Sequence, residues 1–217
     1  MSLAKTKILY IVYTSILIIA FLFGILISKT TTTGLNGPHM EGILWPNPPM
    51  IKPLQLNNQH GEKFTLENFK NTWSLVFFGF ANCPDICPMS LQAMTKAAKA
   101  LRAETSSDFA LQTVFISVDP ERDTLANLTK YASYFSKDLI AVTGTPDELK
   151  AAARSFNTLF MKIEGVGEDY TIEHSSGIFF IAPSGHMASV LTPPHNSLQI
   201  AERFQNIFSF YQGISDE

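Results

Sequence analysis

The longest apolar run in the chain comes first. Residues Ile8 to Ile27 carry no charge, and a helix of about 20 such residues spans the ~30 Å hydrocarbon core of a bilayer. Thr30 to Pro53 breaks the pattern with Thr30–Thr33, Gly34, Gly37 and five prolines, a composition that cannot sustain a regular helix and reads as a linker. Beyond it, short apolar runs alternate with helical periodicity. Leu75–Phe80 and Val114–Val118 are unbroken apolar stretches of the kind expected of buried parallel strands. Pro88 to about Glu104 places Leu91, Met94, Ala98 and Leu101 at helical spacing.

Asp119-Pro120-Glu121-Arg122 reads as the start of a second helix, with Asp119 as its cap, carrying Leu125, Leu128, Tyr131 and Phe135. Leu139–Val142 is a short strand. Thr145-Pro146-Asp147-Glu148 opens a helix through Phe156. Leu159–Ile163, Gly177–Ile181 and Met187–Leu191 are strands, the last two joined by the turn Pro183–His186. Ser197 to about Phe210 closes the chain as an amphipathic helix. This alternation predicts an α/β domain with a central mixed sheet flanked by helices. The organisation is then residues 1–7 as N-terminus, 8–27 as a transmembrane anchor, 28–52 as linker and 53–217 as the folded domain.

Charge gives the anchor a direction. Lys5 and Lys7 precede the span, which places the N-terminus in the cytoplasm and the domain on the extracytoplasmic side. That is the arrangement of a bacterial-type inner membrane protein with a periplasmic domain. A mitochondrial inner membrane facing the intermembrane space is the alternative, and a cleaved signal peptide is a second reading of the same run. A formal charge of -3 without basic clusters argues against nucleic acid as a partner.

The chain has only 2 cysteines, Cys83 and Cys87, which excludes a disulfide-stapled scaffold. They follow the apolar run Phe77-Phe78-Gly79-Phe80 and open a helix, so they belong at the carboxyl end of a strand, where open α/β sheets form their sites. Residues i and i+4 share a helical face, and a helix N-terminus favours thiolate, which is both a nucleophile and a soft metal ligand. Thiol–disulfide oxidoreductases typically use C-x-x-C, and the extra residue here widens the bite toward a metal such as Cu(I) or Zn. Two buried thiols or a plain disulfide are the alternatives. Of the five histidines, His174 precedes the strand Gly177–Ile181 and reaches the same sheet end if that strand lies beside the first. His39 and Met40 fall in the linker, His60 in a polar stretch, His186 in a turn and His195 after two prolines.

These residues resemble the Sco/SenC family of copper-handling cytochrome c oxidase assembly proteins. The likeness rests on Phe77–Phe80 leading into Cys83-Pro84-Asp85-Ile86-Cys87-Pro88, on Ser117-Val118-Asp119-Pro120-Glu121-Arg122-Asp123-Thr124, and on Ile172-Glu173-His174 ahead of an apolar strand. It implies a thioredoxin-like fold, one N-terminal membrane helix, and one copper ion, Cu(I) or Cu(II), held by Cys83, Cys87 and His174. It also implies a role at the copper-site subunit of the oxidase, either delivering copper or reducing that subunit's cysteines through the Cys83/Cys87 pair. Some members look more like redox sensors. Other copper chaperones or thioredoxin-like reductants are the implied further partners. Asp119 and Asp123 are either helix-start acids or a charged rim near the metal that meets a partner, and Asp85 either tunes the thiolates, contacts a partner or is solvated.

Overall fold

A computed structural model describes residues 13–21, 23, 48–104, 110–165 and 170–215. Residues 13–21 and 23 are helical and exposed. The rest of the predicted 8–27 span lies outside the described residues, and among the described residues no helix is long and apolar enough to cross a membrane. The linker to residue 47, with His39 and Met40, also lies outside them.

The other described residues include nine strands and four α-helices. They are β1 (Gln55–Asn58), β2 (Lys63–Thr65), β3 (Trp73–Gly79), α1 (Ile86–Glu104), β4 (Leu111–Ser117), α2 (Leu125–Phe135), β5 (Leu139–Thr143), α3 (Pro146–Ser155), β6 (Phe160–Glu164), β7 (Tyr170–His174), β8 (Ile178–Ile181), β9 (Met187–Leu191) and α4 (Ser197–Ser215). Seven strands form one sheet in the order β2-β1-β5-β4-β3-β8-β9, while β6 and β7 pair separately. The central strands β3, β4 and β5 are parallel, and β8 runs antiparallel to β3 with Phe77 opposite Ile178. The sheet is therefore mixed, as the pattern predicts.

The unbroken apolar run of β3 has a direct cause: all of its residues are buried, because helices or loops cover both sheet faces. Phe78, Phe156 and Phe179 meet edge-on at 5.1–5.9 Å between centroids, the arrangement aromatic quadrupoles favour. Trp73 anchors α4 through edge contacts to Phe204 and Tyr211. α3 starts as expected, with a capping box between Thr145 and Glu148 and Pro146 in the first turn.

One expectation needs correction, and two features go beyond the pattern. α2 starts at Leu125, not at Asp119. Its cap is Thr124, whose hydroxyl accepts from Asn127 N–H at 3.3 Å, so Asp119 is not a helix cap. β1 and β2 form a hairpin that the apolar pattern hides, because Leu56 and Phe64 are their only buried positions; Gly61 (φ +82°) supplies the turn. Finally, His174 precedes β8, which pairs beside β3 as expected, but it does not lie in a loop. It is the last residue of β7.

Candidate metal centre

β3 carries the chain to Phe80 at the carboxyl end of the sheet. Cys83 N–H then donates to Phe80 O at 3.2 Å, which turns the chain back before α1 begins at Ile86. Only Cys87 lies in the helix, where it is buried; Cys83 sits half-buried in the preceding loop. The thiols therefore do not meet on a shared helical turn, as i, i+4 spacing suggests. The closed loop at Phe80–Cys83 brings them together.

Gly79 makes room for them. A Cβ at that position would stand 2.8 Å from Cys87 Sγ, 3.1 Å from Phe115 and 3.2 Å from Phe77. Real Cβ atoms do not approach sulfur so closely, so only glycine lets the buried sulfur lie against the end of β3.

His174 arrives from the other side. β8 pairs beside β3, and the β6–β7 hairpin leans over the cysteine loop. Its imidazole Nε2 lies 3.3 Å from Cys87 Sγ and its Nδ1 lies 3.3 Å from Ser175 O. With the proton on Nδ1, the Nε2 lone pair faces the sulfurs, the orientation a metal ligand needs. The rings of Phe77 and Phe80 stand edge-on to the imidazole at 6.0 Å each and limit its rotation.

The ligand atoms of Cys83, Cys87 and His174 all lie within 4.8 Å of one another. Two ligands about 2.3 Å from a shared ion stand about 3.8 Å apart in tetrahedral and about 4.6 Å apart in linear geometry. The group therefore fits one soft ion, after the Cys87–His174 pair opens by roughly half an ångström. It is the one such group among the described residues. An open cleft of about 520 Å³ leads to it, between Pro84, Asp85 and Ile86 on one lip and Thr171 and Glu173 on the other.

The two thiols are not equivalent. A hydrogen bond from the Cys87 thiol holds Cys83 well below the ordinary thiol range, against an opposing effect of burial, and His174 adds to the lowering. Cys87 is pushed the other way by donating that bond and by its own burial. Alkylation with iodoacetamide should therefore label Cys83 first. Its rate at pH 6 should stay near that at pH 8, where an ordinary thiol slows on the order of a hundredfold. Peptide mapping that found Cys87 labelled as fast as Cys83 would refute this ordering.

The acidic block Asp119–Asp123, read above as cap or rim, ties both halves of the site together. Asp123 is buried, and its Oδ2 accepts from Ala81 N–H at 2.8 Å and from the Ser117 hydroxyl at 2.6 Å, which pins the cysteine loop. Burial raises its pKa, and the hydrogen bonds oppose the rise. Asp119 is also buried; its carboxylate accepts from Arg122 Nε and, at 2.6 Å, from the Tyr170 hydroxyl. Arg122 Nη1 donates to Tyr170 O at 3.0 Å, and its guanidinium lies 3.7 Å from the Tyr170 ring centroid. Tyr170 begins the strand that ends in His174. Asp85 stays on the open lip of the cleft.

Gly79, Arg122 and Tyr170 were not singled out by the sequence reading. Arg122 enters there only as part of the Asp119–Thr124 block, whereas Asp123 is among the named candidates. The remaining described histidines stay out of the group. His60 N–H bonds Asn58 in the β1–β2 turn, and His186 bonds Ser184 at the far end of the sheet. His195 packs edge-on to Phe77 but is taken up by Ser90 and Leu191 O, and burial lowers its pKa.

Known proteins share this fold. The SCO1/SenC family profile matches residues 46–209. The chain belongs to the SCO1/SenC family. A putative copper-binding protein of Stutzerimonas stutzeri is 34% identical over 152 residues, covering 70% of this chain and 74% of the relative. The crystal structure of Arabidopsis thaliana ScoI with copper bound superposes with a TM-score of 0.68 at 31% identity, over 75% of this chain and 99% of that one. BsSco, described with a disulfide switch as a member of the Sco family of cytochrome c oxidase assembly proteins, superposes at 0.60 with 26% identity, over 77% of this chain and 98% of its own. Mitochondrial SCO1 and SCO2 proteins match too, and the chain spans between 39% and 62% of their length. The Sco relatives show the fold expected of this sequence and the metal, copper, that suits its cysteine–histidine group.

Proposed function

We propose that this Sco protein delivers copper to the dinuclear copper site of cytochrome c oxidase, carrying one ion per chain between Cys83, Cys87 and His174. The observation that carries the reading is the convergence of two sulfurs and one imidazole within 4.8 Å at the floor of an open cleft. Soft sulfur and imidazole select copper over hard cations. Three ligands leave a coordination position that an acceptor's sulfur or imidazole can enter from the cleft, so the ion passes by ligand exchange. A structural zinc site would need a fourth protein ligand. The anchor at 8–27 would hold the domain on the extracytoplasmic face of the inner membrane, or in the corresponding mitochondrial position, beside the oxidase's copper-site subunit.

The unequal thiols favour a second reading, reduction of the acceptor's cysteines. Cys83, the more exposed of the two thiols and ionised, would attack a disulfide sulfur and release one acceptor thiolate. Cys87 would then displace the second and leave a Cys83–Cys87 disulfide, to be reduced by a thioredoxin-like partner. One pair of reactions separates the roles. Copper(I)-loaded protein mixed with the reduced, soluble copper-site domain should transfer its ion, read as copper bound to the acceptor after the two proteins are separated. Copper-free dithiol protein mixed with the oxidised acceptor should release few acceptor thiols. The opposite pair of results assigns the protein to reduction.

A further inference from the structure

Tyr131 continues the apolar stripe of α2, in which Leu128 and Ala132 are buried. Its ring packs on Phe115 at 5.4 Å and on Phe135 at 5.1 Å between centroids. Its hydroxyl is buried and has no hydrogen-bond partner. Phenylalanine would fill the same space without that loss, because an unpaired buried hydroxyl opposes folding, and a buried tyrosine ordinarily finds a partner. Each such orphan in a folded protein calls for an explanation.

The hydroxyl belongs to the surroundings of the cysteines. Phe115 borders Cys87 where β3 ends, since a Cβ on Gly79 would stand 2.8 Å from Cys87 Sγ and 3.1 Å from Phe115 Cε2. Tyr131 packs on that same Phe115 ring. Burial first, then the neighbouring Cys87, Cys83 and Asp123, push the phenol pKa up, so the hydroxyl keeps its proton and remains a donor. The other unpaired buried side-chain atoms among the described residues differ. Arg122 Nη2 belongs to a guanidinium already bonded through Nε and Nη1, and Thr158 and Ser189 lie in segments that carry no ligand.

The dithiol form lacks an acceptor for this donor. The Cys87 thiol there gives its proton to a hydrogen bond with Cys83, and a thiol sulfur is a weak acceptor. Coordination changes the sulfur. A sulfur–copper bond forms, the thiol proton leaves to water, and the buried atom becomes a thiolate, a stronger acceptor. We infer, on the reading that copper sits between Cys83, Cys87 and His174, that the Tyr131 hydroxyl is a donor reserved for the Cys87 thiolate, unpaired in the dithiol form and paired in the copper form. Tyr131 is then a positioning residue. It never touches the ion, and it offsets the negative charge that coordination leaves on a buried sulfur.

The test is Tyr131→Phe in the full chain, which removes one oxygen and keeps the ring. The copper-free variant should unfold at the same denaturant concentration as wild type or a higher one. Its copper(I) affinity, from competition with a chromophoric chelator, should fall about tenfold. The thiolate-to-copper(II) absorption should move to longer wavelength, because a hydrogen bond lowers the energy of the sulfur electrons. Tyr134→Phe, at a tyrosine 82% exposed on the same helix, should leave all three unchanged. Wild-type copper affinity and absorption in Tyr131→Phe overturn the inference and make Tyr131 a filler of the core. A copper-free variant less stable than wild type overturns it as well, because the hydroxyl then has a partner without the metal. Wild-type protein that takes up no copper rejects the ligand set itself and the role of Tyr131 with it, a result distinct from either.

Discussion

Full-length protein carrying Cys87→Ala or His174→Ala should lose its copper. Removing a partner outside the coordination sphere of a metal typically costs about 10- to 100-fold in affinity. Removing one of three ligands should therefore weaken binding by about a hundredfold or more, and desalted protein should fall from about one ion per chain to a small fraction of that. The thiolate-to-copper absorption should disappear with it in both variants. His60→Ala, His186→Ala and His195→Ala should keep their copper, since those rings lie outside the ligand group. The His174 variant should also keep its fold, because the side chain is only partly buried and its packing on Phe77 and Phe80 is edge contact. Metal analysis beside circular dichroism checks both statements. Full copper occupancy in His174→Ala would remove the imidazole from the site.

Arg122→Met should damage stability and the site together. Asp119 has 2% of its surface exposed, and loss of its cation leaves a buried carboxylate with only the Tyr170 hydroxyl as a side-chain donor. Breaking a buried pair costs about 3–5 kcal/mol, and Arg122 is 27% exposed, so about 2–3 kcal/mol is expected here. The same substitution removes the bond from Nη1 to Tyr170 O and the stack on its ring, which hold the start of β7 over the cysteine loop. His174 at the other end of that strand then samples more positions. Copper affinity should fall by about 10- to 100-fold, while the cysteine loop, pinned separately by Asp123, keeps its alkylation pattern. Denaturant unfolding, copper competition and peptide mapping read these outcomes. Lower stability with unchanged copper affinity would make Arg122 a structural residue only.

Much of this protein is legible before any folding. The buried runs at Leu75–Phe80 and Val114–Val118 mark central parallel strands to within one residue of their ends, because a strand covered on both faces needs no alternation of polar and apolar positions. Thr145-Pro146-Asp147-Glu148 starts a helix because capping is a local matter of one hydroxyl, one carboxylate and a fixed φ. β1, β2 and β7 were missed because each is short and buries a single side chain, too few to give a period. Asp119 was misassigned because an acid before a proline satisfies the capping pattern, and nothing local shows that Arg122 and Tyr170, 51 residues beyond Asp119, claim its carboxylate instead.

By itself the sequence determined the sheet's central strands, the position of the cysteines at a strand's end and the chemistry a thiolate pair can offer, since each depends on neighbours a few residues away. Only the tertiary structure decided that the sulfurs meet through a closed loop rather than a helical turn, that Gly79 leaves them room, and that His174 is the histidine within reach. Those outcomes follow from packing between segments as many as 87 residues apart in the chain, as with Cys87 and His174. Such packing is set by which surfaces the sheet order brings together, and no local pattern encodes it.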